Sequence, residues 1–490
     1  MSERESPQRE RGATTAVWPE GRGPGSQEER ALSERESPQR ESNPITARYL
    51  NAVADGRLPV EDLAKAVDAV DLSRTMYTTG HLSRPVFLTE GEQAQLTDDL
   101  ARVHAALFDL PDRLFGGDVA AFARAVGARG QQVDAVLRSR GDRVPRLARG
   151  DLYADGTGFQ LLELNISGAL GGVSCAALND AVLTHPGFAD FAAENRLSHV
   201  DIMVEIAGML RELAGNTGGR PVVALADELQ SFRHLESLLW GRAVQFGTLG
   251  IDAVPCHLGQ LSYRDGRVWV DGRPVDVVYR LFHLEHMLRP EVVELADPVL
   301  RAAERGEVAI FTPIGSELYG SKAALALLSD EANRSRYEAA DLAAFDRILP
   351  WTRMVRPGPV TVDGERVELV EYARERREDL VLKATMLHSG DGFTGGWLVG
   401  PEEWDRRLTE AMDGPFVLQR RIRPVPELFP AADGTLRPWI LTWGLFLSER
   451  GYAGGYVRGS EDTAVGVISF MTGAPASCVF HQTAGMGSTA

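Results

Sequence analysis

The stretch RGDLYADGTGFQLLELN, residues 149–165, constrains the fold most, because it combines a hairpin pattern with spaced polar side chains. Two apolar-rich runs flank the tetrapeptide Asp155–Gly158, which is a typical turn signal between antiparallel strands. Side chains alternate between the two faces of a strand, so Glu163 and Asn165 share one face. With the turn in this position, Asp151 is expected roughly opposite Glu163. The stretch therefore predicts a hairpin that gathers two carboxylates and one amide oxygen.

These three side chains form a candidate metal site. Oxygen ligands suit Mg²⁺, which takes one or two carboxylates from the protein and shares its other positions with substrate phosphates. The expected ligands are Asp151, Glu163 and Asn165. A solvated hairpin face is the alternative, although Glu163 and Asn165 interrupt the apolar run FQLLELNI. The residues alone leave both interpretations open.

A second candidate site lies in VLKATMLHSGDGFTGGW, residues 381–397. Lys383 is one of three lysines among the 52 lysine and arginine residues, and it precedes a turn that contains Gly390 and Gly392. Glycines let backbone N–H groups approach phosphate oxygens without a Cβ in the way. The lysine precedes the glycines, so this is not the P-loop pattern. A plain hairpin loop is the alternative.

Other cations could also bind anions. Lys322 is expected in the first turn of a helix capped by Ser321, where a lysine opposes the helix dipole unless an anion binds there. The strand FVLQRRI, residues 416–422, becomes basic after Gln419, and Arg458 follows the apolar run of another strand. Such arginines clamp phosphates or carboxylates, but they can equally form a solvated face. Arg280 and Arg423 are further candidates for a substrate carboxylate.

Composition limits the classes of function. The net charge of −17 makes nucleic acid a poor partner. No run of about 18 apolar residues and no apolar leader segment is present, which argues against membrane spanning and secretion. Three cysteines without ligand spacing are typical of a reducing, cytoplasmic setting. Residues 1–44 are polar and contain SERESPQRE twice, so a disordered tail is expected there.

The hydrophobic patterns predict an α+β fold with α/β subdomains and mixed or antiparallel sheets. Residues 46–140 show helical spacing, and PVVALAD and VDVVYRLF are typical buried strands of an α/β unit at about 216–310. A helix over residues 321–342 should follow. Further strands are expected at VELVEYA, DLVLKA, FVLQRRI, WILTWGLFLS and YAGGYVRG. The predicted domains are 45–215, 216–310 and 311–490.

The order of these motifs, scattered over about 149–458, resembles the circularly permuted ATP-grasp proteins, and within them the glutathionylspermidine synthase-like ligases. The matching stretches are RGDLYADGTGFQLLELN, GSKAALALL, VLKATMLHSGDGF, PEEW and FVLQRRI. The resemblance implies a circularly permuted ATP-grasp fold with a helical N-terminal region. It places the hairpin and the metal-binding part of the ATP-grasp core in 45–215, a substrate subdomain in 216–310 and the nucleotide-binding lobes in 311–490.

The resemblance also implies a role for each candidate residue. It assigns Mg²⁺ to Asp151, Glu163 and Asn165, the reacting phosphate to Arg149 and Arg458, the nucleotide to Lys322 and Lys383, the phosphate-covering loop to Gly390 and Gly392, and the adenine hinge to Gln419. The chain departs from the family at Ala384, Leu387 and Ser389, where proline and loop glycines are usual. The loop is therefore glycine-poor for such a family.

The implied activity is that of an ATP-dependent, ADP-forming carboxylate–amine ligase that uses Mg²⁺ and forms an amide through an acyl phosphate. Its substrates would be a small-molecule carboxylate, such as an amino acid or small peptide, and an amine. The alternatives are a phosphotransferase on the same scaffold and a non-catalytic nucleotide-binding scaffold protein. No pattern in the sequence indicates an oligomeric state.

Overall fold

The chain folds into an α+β architecture, as predicted, with one large mixed sheet and several smaller ones. This computed structural model describes residues 43–58, 60–69, 80–139, 144–215, 218–387, 390 and 392–484. The predicted disordered tail lies outside the described residues except for its last two positions. No described helix is both long enough and apolar enough to cross a bilayer.

The described strands are numbered in chain order. They are β1 Val86–Leu88, β2 Ala148–Ala154, β3 Phe159–Asn165, β4 Leu197–Ser198, β5 Val222–Asp227, β6 Asp252–His257, β7 Ser262–Arg264, β8 Arg267–Val270, β9 Arg273–Pro274, β10 Val277–Arg280, β11 Ala309–Phe311, β12 Thr352–Met354, β13 Pro359–Val362, β14 Glu365–Glu368, β15 Leu380–Ala384, β16 Phe393–Gly395, β17 Phe416–Arg420, β18 Glu427–Pro430, β19 Leu436–Ser448, β20 Gly451–Ser460 and β21 Ala476–Gln482.

The described α-helices are numbered in the same way. They are α1 Pro44–Ala54, α2 Val60–Asp68, α3 Glu90–Phe108, α4 Leu110–Phe115, α5 Val119–Ala125, α6 Gln131–Arg138, α7 Ala176–Leu183, α8 Pro186–Glu194, α9 Ile202–Ala214, α10 Leu229–Thr248, α11 Pro290–Glu304, α12 Ser316–Tyr319, α13 Lys322–Ser329, α14 Ala339–Ile348, α15 Leu369–Glu375 and α16 Pro401–Met412. Short 3₁₀ turns occur at Val173–Cys175, Leu258–Gln260, Leu284–Leu288, Glu331–Arg336, Arg377–Asp379, Gly396–Leu398 and Phe470–Thr472.

The large sheet has the strand order β1-β21-β20-β19-β2-β3, with β18 paired to β19 and β4 to β21. All of its pairs are antiparallel except β1 with β21. The long strand β19 is fully buried from Ile440 to Ser448, since the sheet carries packed elements on both faces there. This sheet holds the predicted hairpin, β2 and β3, at one edge.

The second sheet, β11-β10-β5-β6, is entirely parallel. Parallel sheets are covered on both faces, and the side chains of β5 alternate between two cores. Val223 and Leu225 pack in the core that contains residues of α9 and α10, whereas Ala224 and Ala226 pack in the core that contains residues of α11. The continuous apolar run of PVVALAD therefore correctly indicated a strand that is buried on both faces.

The third sheet, β12-β17-β15-β16, is antiparallel and has a separate small core. Leu380, Leu382 and Leu418 from its strands pack there with Trp404 and Leu408 of α16. Two small sheets, β13-β14 and β7-β8-β9, complete the described strands.

Some element predictions were wrong. VELVEYA was expected to be one strand, but β14 ends at Glu368 and α15 begins at Leu369. Leu369 and Ala373, four residues apart, are both fully buried, which is helical spacing. The helix expected over 321–342 is interrupted after Ser329, where the Asp330 side chain caps a 3₁₀ turn by accepting from the Ala332 N–H at 3.0 Å.

Four strands of the large sheet were missed, namely β4, β18 and the pair β1 and β21. β1 lies inside the region predicted to be helical, and β21 lies after the last expected strand. The two pair in parallel, with Val86 opposite Val479. They are far apart in the chain, and residues 461–475 separate β21 from its other neighbour β20, so no short hairpin pattern reveals either strand.

Candidate functional site

A cleft of about 590 Å³ is lined by residues of all three main sheets and of α10. The large sheet contributes the β2–β3 hairpin, the antiparallel sheet contributes β15 and β17, and the parallel sheet contributes the end of β5. Nine of the ten predicted site residues line this cleft: Arg149, Asp151, Glu163, Asn165, Lys322, Lys383, Gly390, Gln419 and Arg458. The tenth, Gly392, does not line the cleft; it packs against Ala384, whose Cβ would lie 2.6 Å from a Cβ added at Gly392.

The hairpin pairs as predicted. Asp151 is opposite Glu163 and Arg149 is opposite Asn165. A bulge follows, because Leu152 pairs with Leu161 and Leu162 has no partner in register. The carbonyl of Leu162 instead accepts a hydrogen bond from Nζ of Lys383 at 3.2 Å. The bulge thus joins the hairpin to the lysine of the third sheet.

Asp151 lies between two arginines. Arg149 donates to it through both Nε, at 2.8 Å, and Nη2, at 3.0 Å, while Nη2 of Arg458 lies 3.0 Å from Oδ2 of Asp151. Arg149 also donates through Nη1 to the carbonyl of Gly171 at 3.0 Å. Arg149, Asp151 and Arg458 are all buried, so these charge-assisted bonds are protected from water. Their two positive charges exceed the single carboxylate charge.

Glu163 is the second carboxylate of the site. Its Oε2 lies 3.1 Å from Nζ of Lys322, and its Oε1 accepts from the Asn165 amide at 3.2 Å. Burial by itself would raise the pKa of Glu163, but the nearby Lys322, Lys383 and Arg149 outweigh it and hold the pKa well below its usual range. Glu163 is therefore ionised throughout the physiological pH range.

Lys383 lies deeper than Lys322. Its Nζ donates to Oε1 of Gln419 at 2.7 Å as well as to the carbonyl of Leu162. Burial lowers the pKa of Lys383 to about 8, against the opposing effect of Glu163. Gln419 in turn donates to Oγ1 of Thr352 at 3.2 Å. The predicted hinge residue thus orients Lys383 through its carbonyl group.

The end of the cleft formed by the hairpin and the two lysines has the charged groups to bind an anion together with a metal ion. Four cationic side chains, Arg149, Lys322, Lys383 and Arg458, face two carboxylates, Asp151 and Glu163. Nε of Arg458 and the hydroxyl of Tyr456 are buried without a hydrogen-bond partner. In the part of the chain that the structure describes, no group of three or more His, Cys, Asp or Glu side chains is placed to hold a metal. The expected magnesium set has two carboxylates and one amide oxygen, all oxygen donors.

The loop predicted to cover the phosphates is described only in part. Gly390 has a φ of +89°, a conformation that favours glycine, and an added Cβ would lie 3.1 Å from Val467. The carbonyl of Leu387 accepts from Nζ of Lys322 at 3.0 Å. Residues 388, 389 and 391 lie outside the described residues, so the effect of Ser389 on this loop remains a prediction.

The two arginines suggested for a substrate carboxylate are engaged elsewhere. Arg280 is fully buried and donates to Oε1 of Glu317 at 2.5 Å and to the carbonyl of Thr312 at 2.8 Å. Arg423 donates to Oδ1 of Asp379 at 2.7 Å on the surface. Neither lines the cleft.

Sequence reasoning missed the end of the cleft formed by the parallel sheet. Asp227 is the last residue of β5, and ligands bind at the carboxyl ends of such strands. It is 2% exposed, and burial raises the pKa of its carboxyl group to about 6, although the Glu228 N–H donates to it at 2.8 Å. His283 also lines the cleft and is close enough to Asp227 to oppose this effect of burial. The terminal aspartate of PVVALAD was the available signal.

Comparison with known proteins gives a fold relation. No protein-family model matches this sequence, and no curated protein matches it. Among solved structures, the apo structure of a glutathione synthetase-like effector (GSS30) from Globodera pallida matches with a TM-score of 0.52 and 13% identity, covering 88% of this chain and 97% of that chain. A proposed gamma-glutamylcysteine synthetase from Methylobacillus flagellatus KT matches with a TM-score of 0.39 and 9% identity, covering 81% of this chain and 89% of that chain.

A TM-score of 0.39 is too low to indicate a shared fold, whereas 0.52 over nearly the whole of both chains indicates one. At 13% identity the likeness concerns the fold alone. The chain has the fold of a glutathione synthetase-like protein.

Proposed function

We propose that this protein is an ATP-dependent carboxylate–amine ligase with a circularly permuted ATP-grasp fold, acting on an amino acid or small peptide and releasing ADP. The observation that carries the proposal is the junction of Lys322 and Lys383 with the β2–β3 hairpin. Lys322 starts α13 and Lys383 is the penultimate residue of β15, yet both approach Glu163 or its neighbour Leu162. The glutathione synthetase-like fold supports a ligase.

In this proposal the cleft overcomes repulsion between two anions. A substrate carboxylate oxygen attacks the γ-phosphorus of ATP, and the bond to the bridging β–γ oxygen breaks to release ADP. Arg149 and Arg458 bind the transferred phosphoryl group, and Lys322 and Lys383 bind the remaining phosphates. Asp151, Glu163 and Asn165 would hold Mg²⁺, which neutralises phosphate charge when bound. An amine then attacks the carbonyl carbon of the acyl phosphate, phosphate leaves, and the nitrogen loses a proton.

The cationic groups are placed for this role before any nucleotide binds. Arg149 and Arg458 are held by Asp151, and Lys322 by Glu163, so little reorganisation is needed when an anion arrives. Closure of the loop around Gly390 over the acyl phosphate would exclude water, which otherwise hydrolyses it.

The test is a reaction of the full chain with Mg-ATP, pooled amino acids and dipeptides, and hydroxylamine as the amine. We expect ADP together with a hydroxamate. ADP with a stable phosphorylated product would instead indicate the phosphotransferase, and ATP binding without turnover would indicate the scaffold protein. Absence of both ADP and hydroxamate with every carboxylate contradicts the ligase.

Two variants link the activity to the hairpin. Glu163→Gln and Asn165→Ala should each lower the rate of ADP release by roughly 10²-fold or more, because the magnesium site loses an ionised carboxylate or an amide oxygen. Glu365→Gln, on the exposed strand β14, is the matched control and should keep the wild-type rate. Near-normal rates in both hairpin variants would show that the metal assignment is wrong.

A further inference from the structure

One face of helix α10 forms a wall of the cleft away from the phosphate end. Ser231, Leu235, Leu238, Leu239 and Arg242 all line the cleft and recur at helical spacing. At about 1.5 Å per residue, the stripe from Ser231 to Arg242 extends roughly 16 Å along the helix. It begins near the carboxyl end of β5, crosses apolar leucines, and ends at the arginine.

Arg242 is buried without a counter-charge. It is 6% exposed, makes no hydrogen bond or ion pair with any described residue, and its Nε is buried without a partner. Other buried arginines are paired, as Arg84 is to Glu427 at 2.9 Å and Arg280 to Glu317 at 2.5 Å. A buried cation without a partner lowers stability, so its retention beside a cavity indicates an anion supplied by a ligand.

The surroundings of Arg242 favour a carboxylate over a phosphate. Leu238 and Leu239 are its lining neighbours on the helix, and Leu170 and Ala169 lie in the adjoining loop. One guanidinium can bind either anion through two parallel bonds, but these apolar neighbours supply no further donors for the remaining oxygens of a phosphate. The apolar stripe suits the aliphatic part of such a molecule.

Arg242 and Arg149 are connected to different residues of the loop that follows β3. Burial raises the pKa of the Tyr279 hydroxyl, and the guanidinium of Arg242 is close enough to oppose this effect. That hydroxyl donates to the carbonyl of Gly168 at 2.8 Å, in the same loop whose Gly171 carbonyl accepts from Arg149. Arg242 thus lies near the tyrosine that holds Gly168, whereas Arg149 holds Gly171, three residues further along the loop.

We propose that Arg242 binds a second, non-reacting carboxylate of the amino-acid or peptide substrate and so selects molecules with two carboxylates. This inference rests on the proposed ligase function, because it treats the bound molecule as a substrate. The carboxylate site itself can be tested without turnover.

The test uses the full chain loaded with Mg²⁺ and a non-hydrolysable ATP analogue. L-Glutamate, glutarate and γ-glutamylglycine are each titrated by calorimetry beside the analogue in which one carboxylate is an amide. We expect wild type to bind at least one diacid tenfold or more tightly than its monoamide. Arg242→Met should abolish this preference, and Arg233→Met, on the exposed face of the same helix, should retain it.

Thermal melting without ligands separates a binding role from a structural one. If the unpaired charge serves a ligand, Arg242→Met melts at or above the wild-type temperature. A melting temperature several degrees lower, a wild-type protein without diacid preference, or a preference that survives in Arg242→Met would each overturn the proposal.

Failure of the ligase is a separate result. A diacid preference that Arg242→Met abolishes, together with no ADP and no hydroxamate, rejects the ligase and retains the carboxylate site. If both activities exist, the Arg242→Met defect in the hydroxylamine reaction assigns the second carboxylate to the acid substrate. If the Arg242→Met defect appears only with natural amines, the second carboxylate belongs to the amine substrate.

Discussion

Lys383 shows how one residue depends on its surroundings. Its ammonium is buried among Gln419, Leu162 and the charged pair of Glu163 and Lys322. Burial lowers the pKa of Lys383 to about 8, whereas an unfolded lysine titrates near 10.5. A compact ammonium with three donors can satisfy two protein carbonyls and still approach a phosphate, which a planar guanidinium in the same space could not.

This pKa predicts a pH dependence of stability. Between about pH 8 and 10.5 the folded protein binds fewer protons at Lys383 than the unfolded chain, so the free energy of unfolding rises with pH in that window. Below pH 8 both states are protonated and the full cost of burying the charge is present. Urea unfolding from pH 7 to 10 measures this slope.

Two variants isolate the contribution of Lys383. Lys383→Met should abolish the part of the slope that Lys383 contributes, while Lys65→Met, at an exposed position on α2, should keep the wild-type slope. An identical pH dependence in wild type and Lys383→Met would show that the lysine titrates normally in the folded protein.

At the scale of elements, the start of α13 connects three parts of the site. Oγ of Ser321 accepts from the Ala323 N–H at 3.2 Å, as the predicted cap, and donates to the carbonyl of Val126 at 2.9 Å. The N–H of Lys322 donates to the carbonyl of Thr385, just beyond β15, at 3.0 Å. The cap therefore sets the position of Lys322 relative to Lys383.

We expect Ser321→Ala to have two effects. Loss of the cap should cost about 1 kcal/mol of stability, and displacement of Lys322 should weaken binding of an ATP analogue several-fold. Asp118→Ala is the matched control, because Asp118 caps α5 by accepting from the Ala121 N–H at 2.9 Å and does not line the cleft. Urea unfolding and calorimetry measure both effects, and equal nucleotide affinity in both variants would contradict the role given to the cap.

The elements also show what local patterns can predict. The hairpin and the buried strand β5 were predicted because their signals lie within a few residues. The α15 helix was mistaken for a strand because a short apolar run fits both periods. Strands β1 and β21 were missed because each is completed by a partner far away in sequence.

At the scale of the whole molecule, the site is assembled from separate sheets. Glu163 belongs to the large sheet, Lys383 to the antiparallel sheet and Asp227 to the parallel sheet. A nucleotide and metal between them would bind the folded state and not the unfolded chain. Such a ligand stabilises by about 2.7 kcal/mol when its concentration is a hundred times its Kd.

Removal of the metal tests this coupling. We expect a non-hydrolysable ATP analogue with Mg²⁺ to raise the melting temperature by several degrees, and EDTA to abolish most of the increase, because the carboxylates then repel the phosphates. Glu163→Gln should show a smaller difference between the two conditions. An increase that EDTA leaves unchanged would argue against a metal at Asp151 and Glu163.

The sequence by itself determined the hairpin, its register and the cap at Ser321, since each depends on neighbours within a few residues. It also nominated both lysines. Only the tertiary structure decided that Arg280 is held by Glu317 whereas Arg242 is buried beside the cleft without a partner. The physical reason is that the role of a charge depends on which groups surround it in space, and those groups come from elements that are distant along the chain.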